Sequence, residues 1–209
     1  MTIVKKYKRY RKICMELNSK IIKSCLKSDV FIKSARLLGI AHGDTLIFDS
    51  ESEIDVLMDF ALNEYRVNNK NTVEIYREKI GWQNKMEKEI LDALVSSYTS
   101  LFKITSICEK ENTLVLYDIL NKKGNIRLID IGLSTTTIPG LLLFIRLVGL
   151  KDFSMTSGIS FVFPENLEEY LVKRYRKLSR KVKSESAPIK RFISFFRLSK
   201  TDGIEVRYE

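Results

Sequence analysis

Hydrophobic residues recur every three to four positions in the first part of the chain, and this spacing predicts an amphipathic helix over residues 3–27. Its apolar side is formed by Ile3, Tyr7, Tyr10, Cys14, Leu17, Ile21 and Cys25. Its polar side carries Lys5, Lys6, Lys8, Arg9, Arg11 and Lys12. One face of this helix is therefore expected to be buried, and the other to form a dense cationic surface.

The same periodicity predicts further helices over residues 29–38, 53–67, 72–80 and 84–100. Gly39 and Gly81 suit helix C-termini. Ser52 with Asp55 has the form of a capping box, and Thr72 is the expected N-cap of the helix over 72–80. The segment from His42 to Thr45 has the composition of a turn. The first hundred residues are thus expected to be helical.

From residue 102 onward the pattern changes to short segments rich in β-branched and aromatic residues. Five strands are predicted at Phe102–Cys108, Thr113–Leu120, Asn125–Leu133, Leu141–Val148 and Phe153–Phe163, with turn-forming residues between them. Gly158 is a candidate bulge within the last strand. Five short antiparallel strands over so few residues indicate a small barrel or a strongly bent sheet.

After Pro164 the chain predicts a helix over residues 165–183, a linker over 184–188 and a last helix over 189–199 with Phe192, Phe195 and Phe196 turned inward. A short edge strand is expected at Ile204–Tyr208, with a hairpin across Asp202-Gly203 as the alternative. The fold class is α+β. Residues 1–100 form a helical N-terminal layer, 101–164 a five-stranded antiparallel barrel-like module, and 165–209 basic C-terminal helices with a short terminal strand.

Charge is distributed unevenly along the sequence. Residues 1–36 hold eleven Lys and Arg against two acidic residues, and residues 173–197 hold ten against one. The 136 residues between them hold thirteen basic and twenty acidic side chains. Two basic ends suggest a surface for a polyanion, and nucleic acid is the usual one. The alternative is that the basic ends neutralise the acidic middle by direct contact.

The candidate nucleic-acid contacts fall in two groups, one on the predicted helix over residues 3–27, which we label α1, and one on the predicted helix over residues 165–183, which we label α7. The α1 cations are Lys5, Lys6, Lys8, Arg9, Arg11 and Lys12, and the α7 cations are Lys173, Arg174, Arg176, Lys177, Arg180 and Lys181. The second group follows Glu165, Glu168 and Glu169 on the same predicted helix, so the helix dipole accounts for part of it. Nucleic-acid binding predicts that residues 5–12 and 173–183 share one face of the fold.

Cysteine content and hydropathy bear on the location of the protein. Cys14, Cys25 and Cys108 form no C-x-x-C pair, which is typical of buried thiols in a reducing cytosol. No signal peptide is recognisable, and the longest apolar run, Ile138–Val148, is too short to span a membrane and contains Arg146. We expect a cytoplasmic protein without a membrane span, a metal or a cofactor. Binding of the basic first helix to an anionic membrane surface is an alternative.

Few residues suggest catalysis. His42 is the only histidine, and its turn setting favours an ordinary polar role. Asp118 and Asp130 lie on neighbouring predicted strands and could hold a metal for phosphodiester hydrolysis, or could each bond the turn that follows. The hydroxyls of residues 134–137 could hold a phosphate or simply form a polar loop. The protein is therefore expected, on balance, not to be an enzyme.

Arg146 interrupts the most apolar strand, where a charge should face outward or be paired. Facing outward, it could join Arg127 and Lys103 as a nucleic-acid contact, and facing inward it could pair with Asp118 or Asp130. Tyr117, Phe144, Phe153 and Phe161 could form a platform for stacking bases, since small five-stranded barrels bind single strands in this way. Alternatively, these aromatic residues are needed for the core of the barrel.

Part of the strand region resembles a pattern in uncharacterised prokaryotic conserved-hypothetical proteins. The residues that carry it are Leu101–Ile104, Leu116–Leu120, Leu128–Ser134, Thr156–Gly158 and Phe161–Pro164. In some of those proteins a similar small β module lies beside a Cys/His zinc tail. This chain has no such tail, so the resemblance implies a small β-barrel-like module and neither a metal nor an activity.

The leading hypothesis is a cytoplasmic, non-enzymatic module that binds nucleic acid, with RNA favoured, through its basic ends. A second hypothesis is an assembly module that pairs through its first helix, for example as a homo-oligomer. That hypothesis predicts an exposed stripe at Ile3, Tyr7 and Tyr10. A third is a metal-dependent hydrolase, which requires the side chains of Asp118 and Asp130 to converge.

Overall fold

A computed structural model describes residues 2–43 and 45–204. The chain divides into two compact units, Met1–Ser96 and Ser97–Glu209. The first is a helical unit and the second contains the barrel together with the last two long helices. The protein is therefore α+β, as the sequence predicts.

The helical unit contains α1 to α5 and one small hairpin. The elements are α1 (Ile3–Cys25), α2 (Ser28–Leu38), β1 (Ala41–His42), β2 (Thr45–Leu46), α3 (Ser52–Asn63), α4 (Thr72–Lys79) and α5 (Lys85–Val95). The apolar stripe of α1 is buried at Tyr7, Tyr10, Cys14, Leu17 and Ile21. This stripe faces α4 and α5, and the Tyr10 hydroxyl donates to Glu89 Oε2 at 2.8 Å. The helix and its buried face match the prediction.

Helix boundaries in this unit follow local hydrogen bonds. Gly39 ends α2 with φ of +84°, a left-handed conformation that glycine adopts at little cost. Asn71, rather than the expected Thr72, caps α4, because its side chain and that of Glu74 form a reciprocal capping box. The expected capping box of Ser52 with Asp55 does not form, since Glu51 occupies the N-cap position of α3.

Two predicted helices are too long. The helix predicted over 53–67 ends at Asn63, and Ile54 in its first turn is 44% exposed. The helix predicted over 84–100 ends at Val95, and a strand begins at Tyr98. Tyr98 and Thr99 belong to residue types that favour strands, and here pairing with the barrel decides their conformation over helical periodicity.

The barrel unit begins with β3 (Tyr98–Cys108), β4 (Thr113–Asp118), β5 (Lys123–Ile129), α6 (Ile131–Thr136), β6 (Leu142–Gly149) and β7 (Ser154–Phe163). It continues with α7 (Glu168–Ser179) and α8 (Ala187–Asp202). Short 3-10 helices occupy Glu109–Glu111 and Glu165–Leu167. The predicted third strand, Asn125–Leu133, ends early at Ile129, because Asp130 caps a helix where the sequence predicts strand and turn.

The five long strands close into a barrel in the order β3-β4-β5-β7-β6. Four of the five pairings are antiparallel, but β5 and β7 pair in parallel through Leu128 and Ser154, so the sheet is mixed rather than antiparallel as expected. The parallel pair arises because α6 carries the chain away from β5 before β6 and β7 form a hairpin. This strand order, with a helix between the third and fourth strands, is the Greek-key connectivity of an OB fold.

Two layers of apolar side chains surround the strand β6. Inside the barrel, Phe102, Ile104, Leu116, Leu143 and Ile145 belong to one buried cluster. The outer layer consists of aromatic rings: Phe144, Phe161 and Phe163 from the strands, and Phe192, Phe195 and Phe196 from α8. Residues 142–148 are consequently all buried. A strand covered on both sides explains the continuous apolar run in the sequence.

The C-terminal elements are close to the predicted ones but differ in their bounds. The helix predicted over 165–183 begins at Glu168 and ends at Ser179, and the last helix begins at Ala187 with Pro188 in its first turn. Gly158 has φ of +124° within a shift of the β6–β7 register, as expected for a bulge. Ile204 bridges to Val162, and the remainder of the predicted terminal strand lies outside the described residues.

Among the helices that the structure describes, none is long and apolar enough to cross a membrane.

We expect Phe195→Ala to lower the free energy of unfolding by about 3–5 kcal/mol, the usual cost of removing a buried aromatic ring. Phe195 is fully buried, and its ring stacks on Phe144 at a centroid distance of 4.4 Å and on Tyr175 at 5.3 Å. Urea denaturation followed by far-ultraviolet circular dichroism measures the change. Tyr170→Ala is the control, because Tyr170 is exposed on α7 and should cost under about 1 kcal/mol. Equal costs would contradict the importance of this aromatic layer.

Candidate nucleic-acid interface

The α1 cations lie on the exposed side of the helix, opposite the buried stripe. Lys5, Lys8, Arg9 and Lys12 are exposed, while Lys6 and Arg11 are partly buried. Lys6 Nζ lies 5.2 Å from the centre of the Tyr10 ring. Among the residues that the structure describes, the four exposed cations form no ion pair. These four side chains therefore present positive charge to solvent without a direct counter-charge among the described residues.

The α7 cations are all exposed. Lys173 Nζ lies 3.5 Å from Glu169 Oε2, and the Arg174 guanidinium lies 6.0 Å from the ring centre of Tyr170. Within the described part of the chain, the other four α7 cations have no ion pair. The helix is fixed from its opposite side, because Leu171 is fully buried and Tyr175 stacks on Phe195. The α1 and α7 cations belong to different compact units, and their common face remains a prediction.

Several acidic side chains of the middle of the sequence form ion pairs with basic residues of the same segment. Arg77 and Lys88 both contact Asp92, at 2.7 and 2.9 Å, and other pairs join Arg66 to Glu74 and Lys70 to Glu78. In the barrel unit Lys103 contacts Glu165 and Glu168, at 2.9 and 3.6 Å. Lys20, which pairs with Glu87, is an exception from the basic N-terminal segment. In the described residues, direct neutralisation by the acidic middle is thus not seen for Lys5, Lys8, Arg9 and Lys12 on α1 or for Arg176, Lys177, Arg180 and Lys181 at α7.

Only one member of the expected stacking platform is accessible. Phe144, Phe153 and Phe161 are buried, and Phe144 and Phe161 pack under α8, which corrects the prediction for these three rings. Tyr117 is 39% exposed on β4. A Cβ at Gly124 on the neighbouring strand would lie 3.4 Å from Tyr117 Cδ2, so the missing side chain leaves room for the ring over β5. A single exposed ring can stack on one base.

Asp118 has a structural role at the end of the β4–β5 hairpin. Its carboxylate is fully buried and accepts hydrogen bonds from the Tyr98 and Ser100 hydroxyls and from the Asn121 backbone and side-chain amides. Burial is the main cause that raises the pKa of Tyr98 to about 12, and the nearby negative charge of Asp118 is the second. The buried carboxylate is thus balanced by hydrogen bonds, which fix the turn after β4.

Asp130 lies at the other end of the same hairpin. It accepts from the Leu133 amide at 3.0 Å as the N-cap of α6 and from Thr156 Oγ1 at 3.1 Å. The register pairs Asp118 with Lys123 and Thr113 with Ile129, so the backbone positions of Asp118 and Asp130 are separated by roughly 16–20 Å at about 3.3 Å per residue. They cannot share one metal ion. In the described residues, no group of three or more His, Cys, Asp or Glu side chains could hold a metal.

The remaining candidates also have local explanations. Arg146 is buried in β6, where Nη1 donates to Ser97 Oγ at 3.5 Å, and it pairs with neither Asp118 nor Asp130. Lys103 and Arg127 are ion-paired, with Glu165 and Glu111. The hydroxyls of residues 134–137 donate to carbonyls of α6 rather than forming an anion site. His42 is an exposed residue of the β1–β2 hairpin.

The assembly hypothesis predicted an exposed apolar stripe on α1, and the structure corrects this. Tyr7 and Tyr10 are 6% and 4% exposed, and Ile3 is partly buried. The stripe therefore offers little apolar surface for pairing with a second copy. This leaves the cationic side of α1 as its accessible side.

Sequence reasoning missed a basic cavity of about 230 Å³ in the barrel unit. Its lining includes Lys122 after β4, Arg176 on α7 and Arg191 on α8, together with Asn121 and Tyr175. Arg191 belongs to the basic segment, so charge counting could have found it. Lys122 gave no local signal, because its approach to the other two depends on the tertiary packing of the hairpin and the helices.

Replacing Asp118 by Ala leaves two hydroxyls and the Asn121 amides without their acceptor, so we expect a loss of about 3 kcal/mol in the free energy of unfolding. Asp130→Ala is the matched control, since it removes mainly a helix N-cap and should cost about 1 kcal/mol. Urea denaturation of both variants measures the difference. Equal losses would show that the buried position of Asp118 adds nothing to its role.

The raised pKa of Tyr98 predicts a dependence of stability on alkaline pH. An unfolded tyrosine ionises near pH 10, whereas folded Tyr98 stays neutral to about pH 12. Its contribution is therefore complete below about pH 10 and is lost as the pH rises toward 12. The stability difference between the natural protein and Tyr98→Phe should shrink over this interval, as followed by thermal unfolding. A difference that stays constant would contradict the assignment.

Comparison with known proteins gives a family and no activity. No curated protein and no solved structure matches the chain. A family of unknown function, DUF7986, matches residues 1–209. A match over the whole sequence shows that the chain belongs to this family, DUF7986.

Proposed function

We propose that this protein is a non-enzymatic module that binds RNA by contacting its phosphates through the α1 and α7 cations. The observation that carries the proposal is the set of exposed cations without ion pairs among the described residues: Lys5, Lys8, Arg9 and Lys12 on α1, and Arg176, Lys177, Arg180 and Lys181 at α7. Cations that a protein does not pair internally are available to phosphates, and each contact gains free energy by releasing condensed counterions.

The location of the charge favours recognition of the nucleic-acid backbone. Basic side chains on the outer faces of helices contact phosphates, which position a strand without reading its sequence. The barrel adds one exposed aromatic ring, Tyr117, and small barrels of this connectivity commonly bind single strands by stacking. Fold alone does not assign a function, so this likeness is only secondary support. Together these features favour single-stranded RNA over duplex DNA.

The test compares three variants that each replace four cations by Gln and so remove equal charge from a formal net charge of +10. The first changes Lys5, Lys8, Arg9 and Lys12; the second changes Arg176, Lys177, Arg180 and Lys181; the control changes the ion-paired Arg66, Lys70, Arg77 and Lys88. Fluorescence anisotropy with labelled single-stranded RNA and duplex DNA at two salt concentrations measures the affinities. We expect each of the first two variants to bind RNA at least about tenfold more weakly.

Salt dependence separates local contacts from a general charge effect. For single strands, log K falls with log salt by about 0.7 for each phosphate contacted, so the first two variants should show shallower slopes. The control should keep the slope of the natural protein. Equal weakening in all three would mean that only net charge matters. Absence of binding by the natural protein at low salt would overturn the proposed function.

A further inference from the structure

The basic cavity of the barrel unit is built from three separate segments of the chain. Lys122 comes from the β4–β5 turn, Arg176 from α7 and Arg191 from α8. None of its lining residues is a carboxylate. Three cations brought to one small cavity repel one another unless an anion is bound between them. This arrangement is more specific than the open cationic faces of the helices.

Arg191 and the residues next to the other two cations are held by contacts that position the cavity. Arg191 Nε donates to Thr99 Oγ1 at 3.3 Å, and an arginine has four further N–H donors, at its two terminal nitrogens, for another partner. Tyr175, beside Arg176, stacks on Phe195 of α8. Asn121, beside Lys122, is fixed by two hydrogen bonds to Asp118. Each wall of the cavity is thus anchored to the barrel or to α8.

The charge and size of the cavity indicate its ligand. Asp118 is hydrogen-bonded to Asn121 but does not line the cavity. The three cationic side chains of the lining therefore outnumber this one buried carboxylate. The volume, about 230 Å³, is below the 300–1,000 Å³ typical of sites for drug-sized molecules. Arginine presents paired N–H donors that match phosphate oxygens, and lysine adds a point charge. A phosphate group fits both the charge and the size.

We infer that this cavity is a phosphate-binding subsite, formed by Lys122, Arg176 and Arg191, that takes one backbone phosphate of the bound RNA strand. The assignment of the bound phosphate to an RNA strand rests on the proposed function. The assignment of a phosphate group to the cavity does not rest on it, because a free phosphate or a nucleotide would present the same oxygens. The cavity gives the interface one fixed contact, whereas the exposed cations of α1 and, at α7, Lys177, Arg180 and Lys181 contact phosphates on an open surface.

Nuclear magnetic resonance of the ¹⁵N-labelled protein tests the subsite directly through the backbone amides of Asn121 and Lys122. Inorganic phosphate, adenosine 5′-monophosphate and a short oligouridine are titrated separately. We expect saturable shifts at these two amides with millimolar phosphate. Oligouridine should occupy the same site and reduce the shifts that added phosphate produces. Absence of saturable shifts at these amides with all three probes would overturn the subsite.

Variants separate the cavity from the open face of α7. Arg176→Gln with Arg191→Gln should weaken phosphate binding at least about tenfold, whereas Lys177→Gln with Arg180→Gln, which removes the same charge outside the cavity, should change it less than about twofold. Lys122→Gln with Arg176→Gln is a second cavity variant that keeps the Arg191–Thr99 contact. Equal effects in cavity and control variants would overturn the inference.

The outcomes also distinguish the subsite from the proposed function. If oligouridine binds but the cavity amides do not respond, the subsite is wrong and RNA binding stands. If phosphate and the mononucleotide bind in the cavity but oligouridine does not, the cavity is a phosphate site. The inference that it takes the phosphate of an RNA strand is then overturned. Competition between oligouridine and phosphate at the cavity supports both.

Discussion

The aromatic layer between α8 and the barrel is the interaction on which the rest of the second unit depends. Phe144 and Phe161 on the strands and Phe195 on α8 cover the outer side of β6, whose inner side is already in the barrel core. Burying rings of this size supplies a large share of the hydrophobic stabilisation. The same layer also places α7, because Tyr175 stacks on Phe195. The cations on the opposite side of α7 can then remain in solvent without loss of packing.

A second constraint acts on polar groups. A carboxylate without a cationic partner is costly to bury, and Asp118 is tolerated because hydroxyl and amide donors surround it. Those donors come from β3 and from the turn after β4, so the hydrogen bonds tie the hairpin end to the next strand. This tie places Asn121 and Lys122 beside Arg176 and Arg191. A residue that resembled a catalytic carboxylate in the sequence is therefore better explained as the support of a basic cavity.

Sequence periodicity predicted what depends on a local pattern. The buried and cationic faces of α1, the apolar core positions of α8 and the bulge at Gly158 all follow from residue spacing or from one residue type. The parallel pairing of β5 with β7 was not predictable in this way, because it depends on α6, a helix of six residues whose start was hidden within an apolar run. The change from α5 to β3 at Tyr98 was missed for a similar reason, since strand pairing overrides helical spacing there.

The same distinction between local sequence pattern and tertiary structure applies to the candidate site. Its charges can be counted in the sequence, but whether a charge is free or paired depends on the fold. Lys103 and Lys177 illustrate this, since both are lysines in a polar setting, yet Lys103 contacts two glutamates while Lys177 has no ion pair within the described residues. The distribution of acidic side chains thus limits which cations can meet a phosphate. Among the described residues, the cations without ion pairs include four on α1 and four at the end of α7, and an unpaired cation of this kind retains its full electrostatic attraction for an anion.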